Sequence, residues 1–216
     1  MKKVIVLLIS ISLSLSHASQ GATFVLNGKH YEVQVDGGEY HALSDPQDHI
    51  FKAFSEMAGP GMESLMILFD QTSWEALSRG DFSGITQYIT VAAQTATRGR
   101  ASGSDLRGLA RELETAFKSG ETPELTGQAA QIGFSVGAYQ NQGVIRNEPH
   151  VVASASATSY VNEAGDVVQQ ATTATLFFEI ESTIVNVVVA RPSASDEDLE
   201  RVTEVAERLE IVSARP

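Results

Sequence analysis

The sequence predicts a single-domain α+β fold, in which one antiparallel β-sheet has helices packed against its faces. Three observations support this prediction. Long strand-like segments in the last third of the chain are separated by short turns, as in antiparallel sheets. Two other segments carry apolar residues at helical spacing. The segment TIVNVVVA is almost entirely apolar, which is typical of a strand that is covered on both faces.

The N-terminal segment MKKVIVLLISISLSLSHASQGA has the pattern of a secretory signal peptide. Two lysines precede an apolar stretch from Val4 to about Ser16, and small residues suited to cleavage follow. We expect a signal peptide of residues 1–18, with cleavage after Ala18 or as late as Ala22, and a single domain over residues 23–216. The apolar stretch is shorter than the roughly 20 residues that span a bilayer. The sequence therefore predicts a periplasmic or secreted protein, without stable membrane insertion after cleavage.

Composition limits the partners and the source of stability. The 216 residues include no cysteine, 15 basic residues and 27 acidic residues, with a net charge of −12. Disulfides therefore cannot hold the domain together, so apolar burial must do so. A strongly negative charge repels nucleic acids and anionic lipids. We expect no nucleic-acid partner.

The first half of the domain contains signals for four strands. The dipeptide Asn27-Gly28 readily takes the positive φ angles of a tight hairpin turn, which places strands at about 23–26 and 30–35. The apolar segment ESLMILFDQ is an expected buried strand, and ITQYITVAAQ is its expected partner. The residues between these two strands, including Trp74, are expected to form a loop.

Two helices are expected before the long strands. In DPQDHIFKAFSEM, Asp45 is the expected N-cap and Asp48 the acid three residues later, so a helix should run to about Met57. The segment SGSDLRGLARELETAFKSG predicts a second helix, which Gly120 should end. Its apolar stripe consists of Leu106, Leu109, Ala110, Leu113 and Phe117.

The last third of the chain predicts four strands followed by a helix. The strands are expected at about 132–146, 151–161, 167–180 and 183–190. Three consecutive acids, Asp196 to Asp198, then either bind a cation or begin a helix. Ser195 is a suitable N-cap with Asp198 as its capping-box acid, and the helix dipole stabilises carboxylates in a first turn. Because the spacing lacks the features of a calcium loop, we expect a helix start.

The GFSVG stretch matches the nucleophile elbow of serine hydrolases, with Ser135 at its centre. That motif needs a strand followed by a helix, and an acid and a histidine later in the chain. The following residues do not look helical, and the partners would have to be Glu148 and His150. A strand with two glycines, where another element packs closely, is the other interpretation. A serine hydrolase that uses Ser135 is one functional alternative.

The segment HALSDPQDH places four potential metal ligands within nine residues, namely His41, Asp45, Asp48 and His49. The two aspartates are already explained as helix-capping residues. A zinc site would need three or four converging ligands with supporting hydrogen bonds. We therefore predict no metal site here, and no cofactor elsewhere.

The segment TRGRASGSDLRGLAR gathers arginines in an otherwise acidic chain, namely Arg98, Arg100, Arg107 and Arg111. Backbone amides at a helix start, with arginines beside them, can bind an anion. Arginine is also enriched at protein interfaces. These four residues are the candidate site for a ligand or a partner. Exposed helix arginines that follow a capped, glycine-rich loop are the other interpretation.

The order of the predicted elements resembles the PsbP-like superfamily, which includes exported bacterial proteins of the DcrB type. The likeness is clearest from NEPHVVASASATSYVNEAGD to the final AERLEIV, and it would cover nearly the whole exported chain. The family often has a Pro-x-Gly-Trp turn after the first hairpin, where this sequence reads DGGEY. The resemblance implies an α/β/α sandwich and a role in binding partners, without catalytic residues.

The sequence therefore predicts an exported, non-enzymatic accessory or adaptor protein that acts through protein–protein contacts. The first alternative is a module that binds a small anionic ligand at the Arg98–Arg111 segment. No phosphate loop, dinucleotide fingerprint, HExxH motif or cysteine nucleophile is present in the sequence, which is why we do not expect an enzyme.

Overall fold

The computed structural model describes residues 22–36, 38–120 and 135–214. The strands are β1 (Ala22–Leu26), β2 (Lys29–Gln34), β3 (Tyr40–Leu43), β4 (Met62–Asp70), β5 (Tyr88–Gln94), β6 (Ser135–Glu148), β7 (Val151–Val161), β8 (Val167–Ile180), β9 (Thr183–Arg191) and β10 (Glu210–Ser213). The helices are α1 (His49–Ser55), α2 (Gln71–Ser78), α3 (Gly103–Ser119) and α4 (Asp196–Arg208). The predicted signal peptide lies outside the described residues. No helix within the described ranges is both long and apolar enough to cross a membrane.

The strands form two antiparallel sheets, so the predicted single-sheet α/β/α sandwich is wrong. Seven strands follow the order β3-β4-β5-β9-β8-β7-β6, and three form a separate sheet in the order β1-β2-β10. The structure is also mostly β, with more residues in strands than in helices. The β1–β2 hairpin pairs with β10 and packs its apolar side, which includes Phe24 and Val33, against the larger sheet. Alternation along a hairpin predicts one buried face, but it does not say whether the hairpin extends a sheet or packs on it.

The two faces of the seven-stranded sheet are covered by different elements. The three-stranded sheet and α4 pack against one face, where the buried residues include Leu68, Leu176 and Val187. On the opposite face, α1 and α2 pack near Ile67, and α3 packs against a smaller cluster that includes Val152. The predicted apolar stripe of the last helix is buried in the first of these cores, namely Leu199, Val202, Ala206 and Leu209.

Two local predictions in the first half need correction. The N-cap of α1 is Asp48, whose Oδ1 accepts hydrogen bonds from the backbone amides of Ile50 and Phe51, and Asp45 lies before the helix. The expected loop around Trp74 is the helix α2, which Asp70 caps by accepting from the amide of Ser73 at 2.8 Å. A helix of eight residues has too few turns to show a clear apolar stripe in the sequence.

The predicted turns and caps of the other elements are confirmed. Asn27 and Gly28 have φ angles of 52° and 79° at the tip of the first hairpin. Gly120 ends α3 in the left-handed conformation, with φ of 66°. The hydroxyl of Ser195 accepts from the amide of Asp198 at 3.1 Å, as expected for a helix start. The strands β7 and β8 have the predicted bounds.

Candidate functional site

The predicted arginine segment is partly engaged with the protein's own acids. The Arg98 guanidinium forms an ion pair with Glu63. At the start of α3, the backbone amide of Ser102 donates to the Asp105 carboxylate at 2.7 Å, so a capping box occupies this helix end. A bound anion would have to compete with that carboxylate for the amides.

The remaining three arginines are exposed. Arg100 lies in the turn before α3, and Arg107 and Arg111 lie one turn apart along the helix. Their guanidinium groups are therefore available to solvent rather than enclosed in a cleft. Anion binding at this segment stays a prediction. The three exposed arginines would have to bind the anion at the protein surface.

The candidate hydrolase residues lie at opposite ends of one hairpin. Ser135 is the first residue of β6, whereas His150 lies in the turn that joins β6 to β7. Because β6 has 14 residues, its ends lie roughly 40 Å apart at about 3.3 Å per residue. The Glu148 carboxylate lies 4.0 Å from Nε2 of His150, but Ser135 is remote from both. The structure therefore does not bring the three residues together.

The surroundings of Ser135 favour the other interpretation of GFSVG. Ser135 is followed by strand rather than by the helix of a nucleophile elbow. An added Cβ at Gly137 would lie 2.5 Å from Cγ1 of Val161 on the neighbouring strand. The second glycine of the motif thus lies where a side chain packs closely against the backbone, as expected for a glycine within a strand.

The candidate metal ligands make contacts with neighbouring residues of the protein. The His41 ring stacks on Trp74 with centroids 5.0 Å apart, and its Nε2 lies 2.7 Å from Oε1 of Gln71. Asp45 accepts from the amide of Gln47, and Asp48 caps α1. Across residues 22–36, 38–120 and 135–214, no group of three or more histidines and acids is placed to hold a metal ion.

A different feature is the long outer strand of the larger sheet. The strand β6 has 14 residues and is the last strand in the sheet order, next to β7. In the described part of the chain its other side carries no strand, whereas β3, at the opposite edge of the sheet, has four residues. Exposed edges offer unpaired N–H and C=O groups to another chain, and natural proteins usually keep them short or charged. We call residues 135–145 the β6 edge.

The β6 edge carries no charged side chain. Its sequence is SVGAYQNQGVI, and its exposed residues include Ala138, Gln140 and Gln142. The pairing with β7 is interrupted by bulges on either side of a regular run from Ala138 to Asn141. Bulges limit how long a stretch of an edge can pair with another strand. The regular part of the edge is therefore about four residues long, or roughly 13 Å.

One end of this edge is anchored by Arg146. Its side chain is buried and donates to the backbone carbonyl of Leu209 at 2.8 Å, at the C-terminal end of α4. The guanidinium also binds the carboxylates of Glu148 and Glu210. Burial alone would lower the pKa of Arg146, but the hydrogen bonds to these carboxylates raise that pKa overall. The bond from Arg146 in turn lowers the pKa of Glu148.

Two helices that flank the edge also contact it. On one side, the Thr203 hydroxyl of α4 donates to Oε1 of Gln142 at 2.9 Å. On the other side, the exposed ring of Phe117 in α3 lies against Gly143, which has a φ of 72°. These contacts hold the strand in place from both faces of the sheet. A partner could therefore bind without first ordering this strand.

The α4 side of the edge is acidic. Glu200 and Glu207 lie about one turn from Thr203 on the same side of α4, and both are exposed. Arg201 and Arg208 lie farther round the helix, since successive residues turn by about 100°. We call Glu200 and Glu207, with the two glutamates that bind Arg146, the acidic rim.

The acids at the end of the edge complete this rim. The side chains of Glu148 and Glu210 are each about two-fifths exposed, whereas the arginine between them is buried. Nε2 of His150 lies 4.0 Å from each carboxylate. The β6 edge and its rim were not predicted from the sequence, because the outermost strand is defined by sheet order rather than by a motif.

The chain has distant similarity to solved structures. No protein-family model matches the chain, and no curated protein matches it. Among solved structures, it is similar to PA94 from Pseudomonas aeruginosa, a protein of unknown function, with 15% identity and a TM-score of 0.28 over 91% of this chain and 98% of that one. It is also similar to Ms6760 from Mycobacterium smegmatis, with 10% identity and a TM-score of 0.17 over 83% and 80% of the two chains. Similarity this low carries no argument about function, and the PsbP-like resemblance stays a prediction.

Proposed function

We propose that this chain is an exported, non-enzymatic accessory protein that acts through protein–protein contacts, and that the β6 edge is its contact surface. The observation that supports the proposal is the length and exposure of this uncharged edge in a strongly acidic protein. An enzyme would need converging catalytic groups. The candidate residues Ser135 and His150 instead lie at opposite ends of a hairpin.

The physical reason is that an exposed strand edge is a ready site for another polypeptide. Backbone groups along the edge can form main-chain hydrogen bonds with an added strand, and alternate side chains supply specificity. Such an edge also favours aggregation, so proteins usually protect it with charged residues or proline. The β6 edge has neither over residues 135–145, and bulges limit its regular pairing to a short run. A binding role would explain why this run has no charged residue or proline.

Site-specific photo-cross-linking in cells tests the proposal. A photoreactive amino acid replaces Gln140, which is exposed at the centre of the β6 edge, and a control protein carries it at Lys52, which is exposed on α1. We expect one discrete adduct with another protein from position 140 and none of the same mass from position 52. Random neighbours at both positions, the same adduct from both, or cross-links confined to this chain would overturn the proposal.

A further inference from the structure

We infer that the β6 edge accepts an extended, positively charged segment of the partner protein as an eighth strand of the larger sheet. This inference rests on the proposed function and gives the chemical class of the partner. Three properties of the edge carry it: its outer backbone, its regular central run and the acidic rim beside it.

The backbone defines the shape of the occupant. Over the regular run from Ala138 to Asn141, the inner side of β6 pairs with β7, and the outer side has no strand beside it in the described ranges. An extended segment is the shape that satisfies a row of strand N–H and C=O groups. The bulges that bound the run restrict regular pairing to a short segment. The occupant is therefore a short strand or tail rather than a whole sheet.

The charge distribution defines the sign of the occupant. The chain has a net charge of −12, and the rim acids Glu200, Glu207 and Glu210 lie beside an edge that has no charge of its own. The arginine at the end of the edge pairs with Glu148 and Glu210, so these three groups together carry a formal charge of −1. Lysine or arginine side chains on an added strand could approach these carboxylates to within a Debye length, where screening by salt is incomplete.

The same charges argue against a second copy of this chain on the edge. Pairing of two β6 edges would bring two acidic rims together, and each copy also carries the full net charge. Like charges at an interface oppose association. A cationic segment avoids this cost, and its apolar side chains could contact the exposed ring of Phe117 beside Gly143.

Binding of defined peptides to the purified protein tests the inference. The probe is a dye-labelled peptide of alternating lysine and threonine, and its matched control replaces every lysine with glutamate. We expect the basic peptide to bind, with an affinity that falls as salt is added, and the acidic peptide not to bind. Equal binding of both peptides would overturn the inference.

Backbone methylation of the probe separates strand addition from simple charge attraction. N-methylation at alternate residues of the basic peptide should abolish binding in one register and preserve it in the other, because an edge strand uses every second N–H. If both methylated peptides bind as well as the parent, the occupant does not add as a strand, and the inference fails.

Substitutions on the protein test the acidic rim. The double substitution Glu200→Gln and Glu207→Gln should weaken binding of the basic peptide by about three- to tenfold, as expected for two exposed charges. The matched control is Glu39→Gln with Glu56→Gln, which removes two exposed acids that lie outside the rim. The control should leave binding unchanged. Equal losses in the two proteins would show that net charge, rather than the rim, attracts the peptide.

The outcomes also distinguish this inference from the proposed function. A discrete cross-link at position 140 without binding of the basic peptide would keep the proposed function and overturn the cationic strand. A second result is a dimer in sedimentation experiments that Gln140→Pro abolishes while the circular dichroism spectrum is unchanged. Such a dimer would assign the edge to a second copy of this chain and would overturn the inference. The absence of any cross-link to another protein from position 140 would overturn both the proposed function and the inference.

Discussion

Nε of Arg191 donates to Oδ1 of Asp198 at 2.5 Å, which joins the end of β9 to the first turn of α4. The other carboxylate oxygen accepts from the hydroxyls of Ser193 at 2.8 Å and Ser195 at 2.6 Å. Arg191 also donates to Oε1 of Gln87 at 3.2 Å, next to β5. The Asp198 carboxylate, which the sequence predicted as a capping-box acid, thus accepts from three side chains and is the centre of a polar network that fixes α4 on the larger sheet.

Replacing Asp198 with asparagine should destabilise the protein by about 1–3 kcal/mol at pH 7, because a buried, charged acceptor is lost. Burial alone would raise the pKa of Asp198, but hydrogen bonds from Ser195 and Ser193 and the Arg191 charge lower it overall. The carboxylate therefore stabilises the fold above the unfolded pKa of about 3.9, and this contribution is lost as pH falls through the lower folded pKa.

Urea unfolding at several pH values measures both effects. The free energy of unfolding should differ between the wild type and Asp198→Asn at pH 7, and the difference should shrink below about pH 4. The matched control is Asp196→Asn, which changes an exposed acid in the same helical turn. A loss of stability in the control as large as that in Asp198→Asn would contradict a specific role for the network.

Replacing Arg146 with methionine should destabilise the protein by about 2–4 kcal/mol, because several charge-assisted hydrogen bonds are lost at once. The matched control is Arg201→Met, which removes an exposed ion pair with Glu197 within α4 and should cost less than about 0.5 kcal/mol. Urea unfolding gives both values, and hydrogen exchange should show faster opening of the end of β6 in the Arg146 variant only. Similar losses in the two variants would show that the buried arginine does not anchor this strand.

Gly143→Ala should destabilise the protein more than a comparable glycine substitution elsewhere. Gly143 has a φ of 72°, and an added Cβ would lie 3.0 Å from Cγ of Phe117. The control Gly165→Ala also has a positive φ, of 86°, but an added Cβ would have no atom within 4 Å. Both variants carry the cost of about 1–2 kcal/mol for the left-handed conformation, and only Gly143→Ala adds a steric contact. Equal melting temperatures for the two variants would show that the contact with Phe117 does not destabilise Gly143→Ala.

The sequence predicted most elements of the fold, because each carries a local physical signal. The turn at Asn27-Gly28 and the helix start at Ser195 depend on neighbouring residues only, and both are confirmed. The number of sheets could not be predicted in the same way, since it depends on β2 pairing with β10 near the other end of the chain. The candidate site was missed for a related reason. Nothing in SVGAYQNQGVI shows that this strand is the outermost one, because sheet order is set by the packing of distant segments.

Ser182→Gly should stabilise the protein by about 0.5–1 kcal/mol. Glu181 and Ser182 form the turn between β8 and β9 with φ angles of 51° and 54°, although neither is a glycine. A side chain in this conformation costs about 1–2 kcal/mol, and the greater freedom of glycine in the unfolded chain offsets part of the gain. Ser182→Val should instead lower the melting temperature, since β-branched residues tolerate positive φ poorly. Thermal unfolding measures both variants, and melting temperatures that match the wild type in both would show that the turn stores no such strain.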